Sequence, residues 1–140
     1  MILLIKRIII LIVLLTSSGA ICYAQLANPD SFTGQYNYVP EPRLKYPISD
    51  VVTINDAQPL EFKWWNDYAG TRGYILKVYK GHNPYADNLI LKEQLGAVAS
   101  FAGRPDLFED GKTYTWSLVR ISSAGFKSDK SFNTFKVVKK

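Results

Sequence analysis

The chain has 140 residues, with 17 Lys and Arg against 12 Asp and Glu, one His and one Cys. A net charge of +5 spread over scattered lysines makes no nucleic-acid patch. The single cysteine, Cys22, allows neither a disulfide framework nor a Cys-ligated zinc site, and a domain that loses it with the N-terminal segment cannot be a cysteine hydrolase.

The N-terminus reads MILLIKRIIILIVLLTSSGAICYAQ. Lys6 and Arg7 form a basic start, Ile8 to Leu15 an apolar run, and small residues follow. That is the layout of a Sec-type secretory signal peptide. The run is too short for a membrane span, which needs roughly 20 apolar residues. Cleavage is expected after Ala24 rather than Ala20, leaving Gln25 first. A lipid anchor on Cys22 would need a small residue before it, and Ile21 is bulky. Removing residues 1–24 takes away Lys6, Arg7 and Cys22; 17 less two leaves 15 basic against 12 acidic residues, a net +3. The remaining 116 residues (140 less 24) are one domain's worth of chain, held by burial alone.

Residues 25–47 read as an extended leader. Pro29, Pro40, Pro42 and Pro47 exclude a helix. Phe32, Tyr36, Tyr38, Leu44 and Tyr46 make it more aromatic than an ordinary flexible linker. Two readings stand: a tether, or an extended segment lying against the domain.

From Ile48 the pattern becomes short strands between turn signals. SDVVTI is the first. PLEFKWW alternates, with Leu60, Phe62 and Trp64 on one face and Glu61 and Lys63 on the other. After the turn-rich NDYAGTRG, YILKVYKG places Tyr74, Leu76 and Val78 opposite Ile75, Lys77 and Tyr79. GHNPYADN is a further turn; LILKEQL and AVASFA are weaker strands. KTYTWSLVRIS is long, and SFNTFKVVK comes last. Period-two alternation is the signal of half-buried antiparallel strands. About seven of them, separated by Gly, Asn, Pro and Asp turns, imply an all-β, seven-stranded antiparallel two-sheet sandwich over residues 48–138.

Several of these residues resemble those of fibronectin type III domains. Trp64 ends an alternating second strand, where that family keeps a core tryptophan. GYILKVYKG resembles the third strand. FEDGKTY resembles a Leu-x-Pro-Gly-Thr-x-Tyr turn, with Phe108, Asp110, Lys112 and Tyr114 at the Leu, Pro, Thr and Tyr positions. SSAGFKS resembles the loop after the sixth strand. The resemblance implies a fibronectin type III-like fold in an exported bacterial protein. It gives structural roles to Trp64, Tyr74, Gly111, Tyr114 and Trp116. Gly111 suits a positive φ, and Tyr114 suits a buried ring whose hydroxyl returns to nearby backbone. Two points depart from the pattern: Asp110 replaces the proline, and counting by twos from Tyr114 puts Arg120 on the inner face. An inward arginine needs either the open end of the sandwich or a bulge that flips the register.

Catalytic equipment is thin. His82 is the one histidine, and no nucleophile elbow or phosphate-cradling glycine loop accompanies it. Asp106, Glu109 and Asp110 share one turn, which suits solvation better than a glycosidase cleft. Asn83, Asp87 and Asn88 lack a known calcium spacing. No catalytic residue, metal or cofactor is expected. Outward aromatics are the better lead: Trp65, Tyr68, Tyr79 and Tyr85 are candidate ligand contacts. Trp65 is expected outward, covered either by the leader or by a ligand. The expected function is a secreted or periplasmic, non-catalytic binding or structural module. Its partner is another envelope or extracellular protein, or, as the alternative, a polysaccharide stacked on exposed aromatics. Nucleic acid and a stable membrane span are not expected.

Overall fold

A computed structural model describes residues 37–140. The candidate cleavage sites at Ala20 and Ala24, together with Cys22, Phe32 and Tyr36, lie outside the described residues. Eight strands follow in order: β1 (Arg43–Tyr46), β2 (Val51–Ile54), β3 (Leu60–Trp65), β4 (Thr71–Lys80), β5 (Leu89–Gly96), β6 (Ser100–Gly103), β7 (Thr113–Ser122) and β8 (Lys127–Lys139). Single 3₁₀ turns at Ala86–Asn88 and Pro105–Leu107 precede β5 and β7. One sheet has the order β1-β3-β6, the other β2-β8-β7-β4-β5.

Two features differ from the expected seven antiparallel strands. β1 is an additional strand, drawn from the stretch that reads as leader, and it pairs antiparallel with β3. β2 runs parallel to β8, from Val51 opposite Lys136 to Ile54 opposite Lys139. Both follow from the chain crossing between sheets at Pro47. The prolines that hide β1 in the sequence confine it to a sheet edge, where a missing N–H costs no ladder bond.

Residues 39–47 are therefore built into the domain rather than ahead of it, and the domain begins before Ile48. Val39, Pro42 and Pro47 are buried. Three proline carbonyls accept side-chain donors from the larger sheet: Pro40 from Arg120 Nη1 at 3.1 Å, Pro42 from Ser131 Oγ at 2.6 Å, and Pro47 from Trp116 Nε1 at 2.8 Å. A segment too proline-rich to fill a ladder is held by side chains instead, which satisfies its buried carbonyls.

The core is where the two alternations face each other. Leu60, Phe62 and Trp64 of β3 meet Tyr74, Leu76 and Val78 of β4, Tyr114, Trp116 and Leu118 of β7, and Phe135 and Val137 of β8. Phe62 lies near the centre, with its ring 5.2 Å from Trp116 and 5.9 Å from Phe135. Such pairs add about 0.5–1.5 kcal/mol each beyond the area they bury. Trp64 packs edge-on against Tyr74 at 5.3 Å.

The turn before β7 ties the sheets together. Gly111 has φ +71°, which only glycine adopts without cost. Tyr114 is buried against Phe108 at 5.1 Å, and its hydroxyl accepts the Glu109 N–H at 2.7 Å. That is a tyrosine corner. Gly73 is fixed by a close approach: a Cβ there would stand 2.3 Å from the Leu95 carbonyl oxygen on β5.

Candidate functional site

β3 leaves the core at Trp64 and turns outward at Trp65, and the loop 66–70 carries the chain over to β4. This end of the sandwich holds the molecule's one dense polar cluster among the described residues. Arg120 is its hub. β7 parity directs it inward beside Tyr74, its partner on β4, and it is 1% exposed. Nη2 donates to Asp67 Oδ1 at 3.1 Å and Nη1 to the Pro40 carbonyl. Its guanidinium lies 5.3 Å from the Tyr68 ring and 6.0 Å from the Tyr74 ring. Nε has no hydrogen-bond partner among the described residues. Burial of this charge is tolerable because the stem packs on aromatics while the head meets a carboxylate and a carbonyl. Of the two options for Arg120, the sandwich end applies. The β7–β8 irregularity between Val119 and Ile121 leaves it facing inward.

Asp67 joins this hub to the surface. Its second oxygen accepts from Arg43 Nε at 2.9 Å and from Arg43 Nη2 as well, a fork-like contact. Hydrogen bonding from Arg43 holds the Asp67 carboxyl below the usual carboxylate range, with Arg120 adding to the effect. Arg43 stands opposite Trp65 in the β1–β3 ladder. Its guanidinium lies 5.6 Å from the Trp65 ring centre, and Lys45 Nζ lies 4.6 Å from it. Trp65 is 47% exposed. Its cover within the described residues is cationic, drawn from β1. Lys63, also on the outward side of β3, pairs with Glu61.

The four candidate aromatics do not form one platform. Trp65 and Tyr68 flank Asp67, and Tyr68 is folded over Gly70, where a Cβ would approach its ring to 2.9 Å. Tyr79 corrects the expectation of an exposed ring. It stands on the outward side of β4 but is only 4% exposed. β4 is flanked on both sides, so Tyr79 is enclosed between Thr115 of β7 and Leu89 of β5. Tyr85, 66% exposed, precedes the first 3₁₀ turn. Tyr68 and Tyr79 sit toward opposite ends of β4, a strand of ten residues, so nearly ~30 Å separates the two groups.

The titratable groups suspected of chemistry are engaged structurally. Glu109 pairs with Lys80 at 2.5 Å, Asp106 with Arg104 at 3.6 Å, and Asp110 accepts the Lys139 backbone N–H at 2.8 Å. Asn88 donates to the Asn83 carbonyl at 3.2 Å. His82 lines a shallow groove with Asp50, Val51, Thr134 and Lys136. Among the described residues there is no cluster of three metal-capable side chains. No helix there is long and apolar enough to cross a membrane.

Arg43, Lys45 and Asp67 are the residues that sequence reasoning missed. A signal for Asp67 existed: an arginine placed inward by parity demands a carboxylate at the same end of the sandwich. Arg43 and Lys45 carried none, because β1 itself was hidden among prolines.

Strand order, inward aromatics and the tyrosine corner define a fibronectin III-like β-sandwich. Among solved structures, the chain resembles one from a computer-based redesign of a β sandwich protein, with TM-score 0.53 and 16% identity over 72% of this chain and 97% of that one. That likeness is one of fold. The chain is also similar to the fibronectin(III)-like modules of Clostridium thermocellum CbhA, with TM-score 0.48 and 14% identity over 70% and 96% of the two chains. A Fn3-like protein from Clostridium thermocellum gives TM-score 0.45 and 15% identity over 71% and 94%. No family model matches the chain, and no curated protein does.

Proposed function

We propose that this chain is an exported, non-catalytic binding module that contacts another envelope or extracellular protein through the end of the sandwich built on Trp65. Export rests on the N-terminal pattern of basic start, apolar run and Ala24. The observation that carries the binding reading is Trp65 itself. It is a half-exposed tryptophan whose neighbours Arg43 and Asp67 are already fixed by the buried Arg120. Tryptophan, tyrosine and arginine dominate the energetic centres of protein interfaces, and a pre-fixed cluster loses less entropy on binding. Polysaccharide stacking on the four aromatics is the weaker alternative. Tyr79 is enclosed, Tyr68 lies against Arg120, and Lys45 lies against the Trp65 ring.

A photoreactive phenylalanine analogue placed at position 65, and separately at exposed position 104, tests the reading in the cell envelope. The expected result is a discrete crosslinked protein from position 65 that is absent from position 104. No crosslink from 65, or the same products from both sites, would overturn it.

A further inference from the structure

A second surface lies on the outward side of the five-stranded sheet, and its chemistry is separate from that of the Trp65 end. Lys77 alternates with buried Leu76 and Val78, so it faces outward, and Lys92 of β5 stands directly opposite it. On β8, Lys127, Lys130 and Lys136 stand opposite Ile121, Val119 and Thr113. These three partners alternate with buried β7 residues, so their lysines face outward too. Five lysines therefore share one face. β4, β5, β7 and β8 carry only two carboxylates: Glu93, opposite buried Leu76 on the inward side, and Asp129, at the β7–β8 irregularity. None of the five lysines takes part in an ion pair among the described residues.

Like charges placed directly opposite across a ladder oppose pairing, so Lys77 and Lys92 weaken the β4–β5 contact unless an anion lies over them. Phe132, Ser117, Lys77 and Lys92 form one row across four strands, about 14 Å long at ~4.8 Å per strand. Lys127 to Lys136 along β8 covers ~30 Å. No compact anion reaches all five, so the matching ligand is an extended polyanion. Between the lysines the floor is closed, with Thr115 and Ser117 each 1% exposed and Thr134 half-buried, and Phe132 (63% exposed) is the one aromatic ring standing out of it. Single-stranded nucleic acid would require a series of stacking rings, and an anionic bilayer a continuous apolar band. A sugar chain with regularly spaced carboxylates needs only spaced cations and an occasional ring.

We infer that this face binds an acidic, uronate-bearing polysaccharide along the β8-β7-β4-β5 surface. The exported location bears on the choice of polymer, while the charge arrangement stands without it.

Affinity electrophoresis of the exported chain through gels containing polygalacturonate, with dextran as the uncharged control, tests this. Retardation is expected in polygalacturonate only, and it should fade as salt is raised. Lys77→Gln/Lys92→Gln should lower affinity tenfold or more while Tm stays level or rises, since repulsion is relieved. A purely structural role for these lysines would lower Tm instead. Lys130→Gln/Lys136→Gln, on a different strand, gives the same readout if the first pair disturbs folding. Trp65→Ala should leave retardation intact, which separates this surface from the proposed protein contact. Absent retardation, equal retardation of wild type and both lysine variants, or tighter binding to phosphatidylglycerol vesicles or single-stranded DNA would overturn the inference.

Discussion

Arg120 and Asp67 meet across the end of the sandwich, 3.1 Å apart, with the arginine 1% exposed and the aspartate side chain 37% exposed. This asymmetry decides what each mutation does. If Arg120 is removed, Asp67 keeps Arg43 and reaches water. If Asp67 is removed, a buried cation is left with one carbonyl and two ring faces. Arg120→Met, which keeps the apolar stem but takes the donor from the Pro40 carbonyl, should therefore still cost less than Asp67→Ala. The double variant should be more stable than Asp67→Ala alone. Urea unfolding of the three proteins measures the order, and Asp67→Ala proving the mildest would refute the hub.

The two core tryptophans differ in one hydrogen bond. Trp116 Nε1 donates to the Pro47 carbonyl at 2.8 Å, whereas Trp64 Nε1 has no partner among the described residues. Trp116→Phe should cost about 1–3 kcal/mol more than its lost area implies, because a buried carbonyl is orphaned. Trp64→Phe should carry no such extra cost, although Trp64→Ala should cost about 3–5 kcal/mol through the cavity. Tyr114→Phe, which strips the Glu109 N–H of its acceptor, should cost about 1 kcal/mol. Denaturant midpoints at unchanged slope provide the measurement.

Of the three tryptophans, only Trp65 meets solvent. Acrylamide should quench a minority of the emission, red-shifted relative to the rest, and Trp65→Phe should abolish that fraction. Deleting residues 25–45 would also remove most of β1 and expose the free edge of β3. Such a truncation should lower Tm as well as alter Trp65 emission. Quenching unchanged in Trp65→Phe would mean that the indole is covered.

Stability should fall in acid. Asp67 is held below its ordinary pKa chiefly by the hydrogen bond from Arg43, and Glu109 chiefly by that from Lys80. A depressed folded-state pKa contributes stability above the unfolded value near ~4, lost as pH falls through the lower folded value. Lys80 is shifted upward by Glu109, so its contribution is present below the ordinary lysine pKa and lost as pH rises through the raised one. Thermal melts should thus show a plateau between roughly pH 5 and 9, with losses on both sides. Asp67→Asn and Glu109→Gln should each flatten the acid limb, and an unchanged limb in both would assign it to other carboxylates.

The sequence by itself determined the sandwich. Alternation in PLEFKWW, YILKVYKG and KTYTWSLVRIS specifies which side of each strand is apolar, because a strand has only two sides. FEDGKTY specifies the corner, because a positive φ beside an aromatic is a local requirement. Tertiary structure alone decided the rest. β1 is a strand only because β3 offers it an edge, and the carbonyls of Pro40, Pro42 and Pro47 find donors on β7 and β8 that are distant in sequence. Tyr79 is outward by parity yet enclosed, because burial depends on the strands alongside as well as on the side faced. Likewise Arg43, Asp67 and Arg120 carry no shared sequence spacing. They form a site because three separate crossings of the chain end at the same rim, where one carboxylate is the cheapest way to keep a buried cation satisfied.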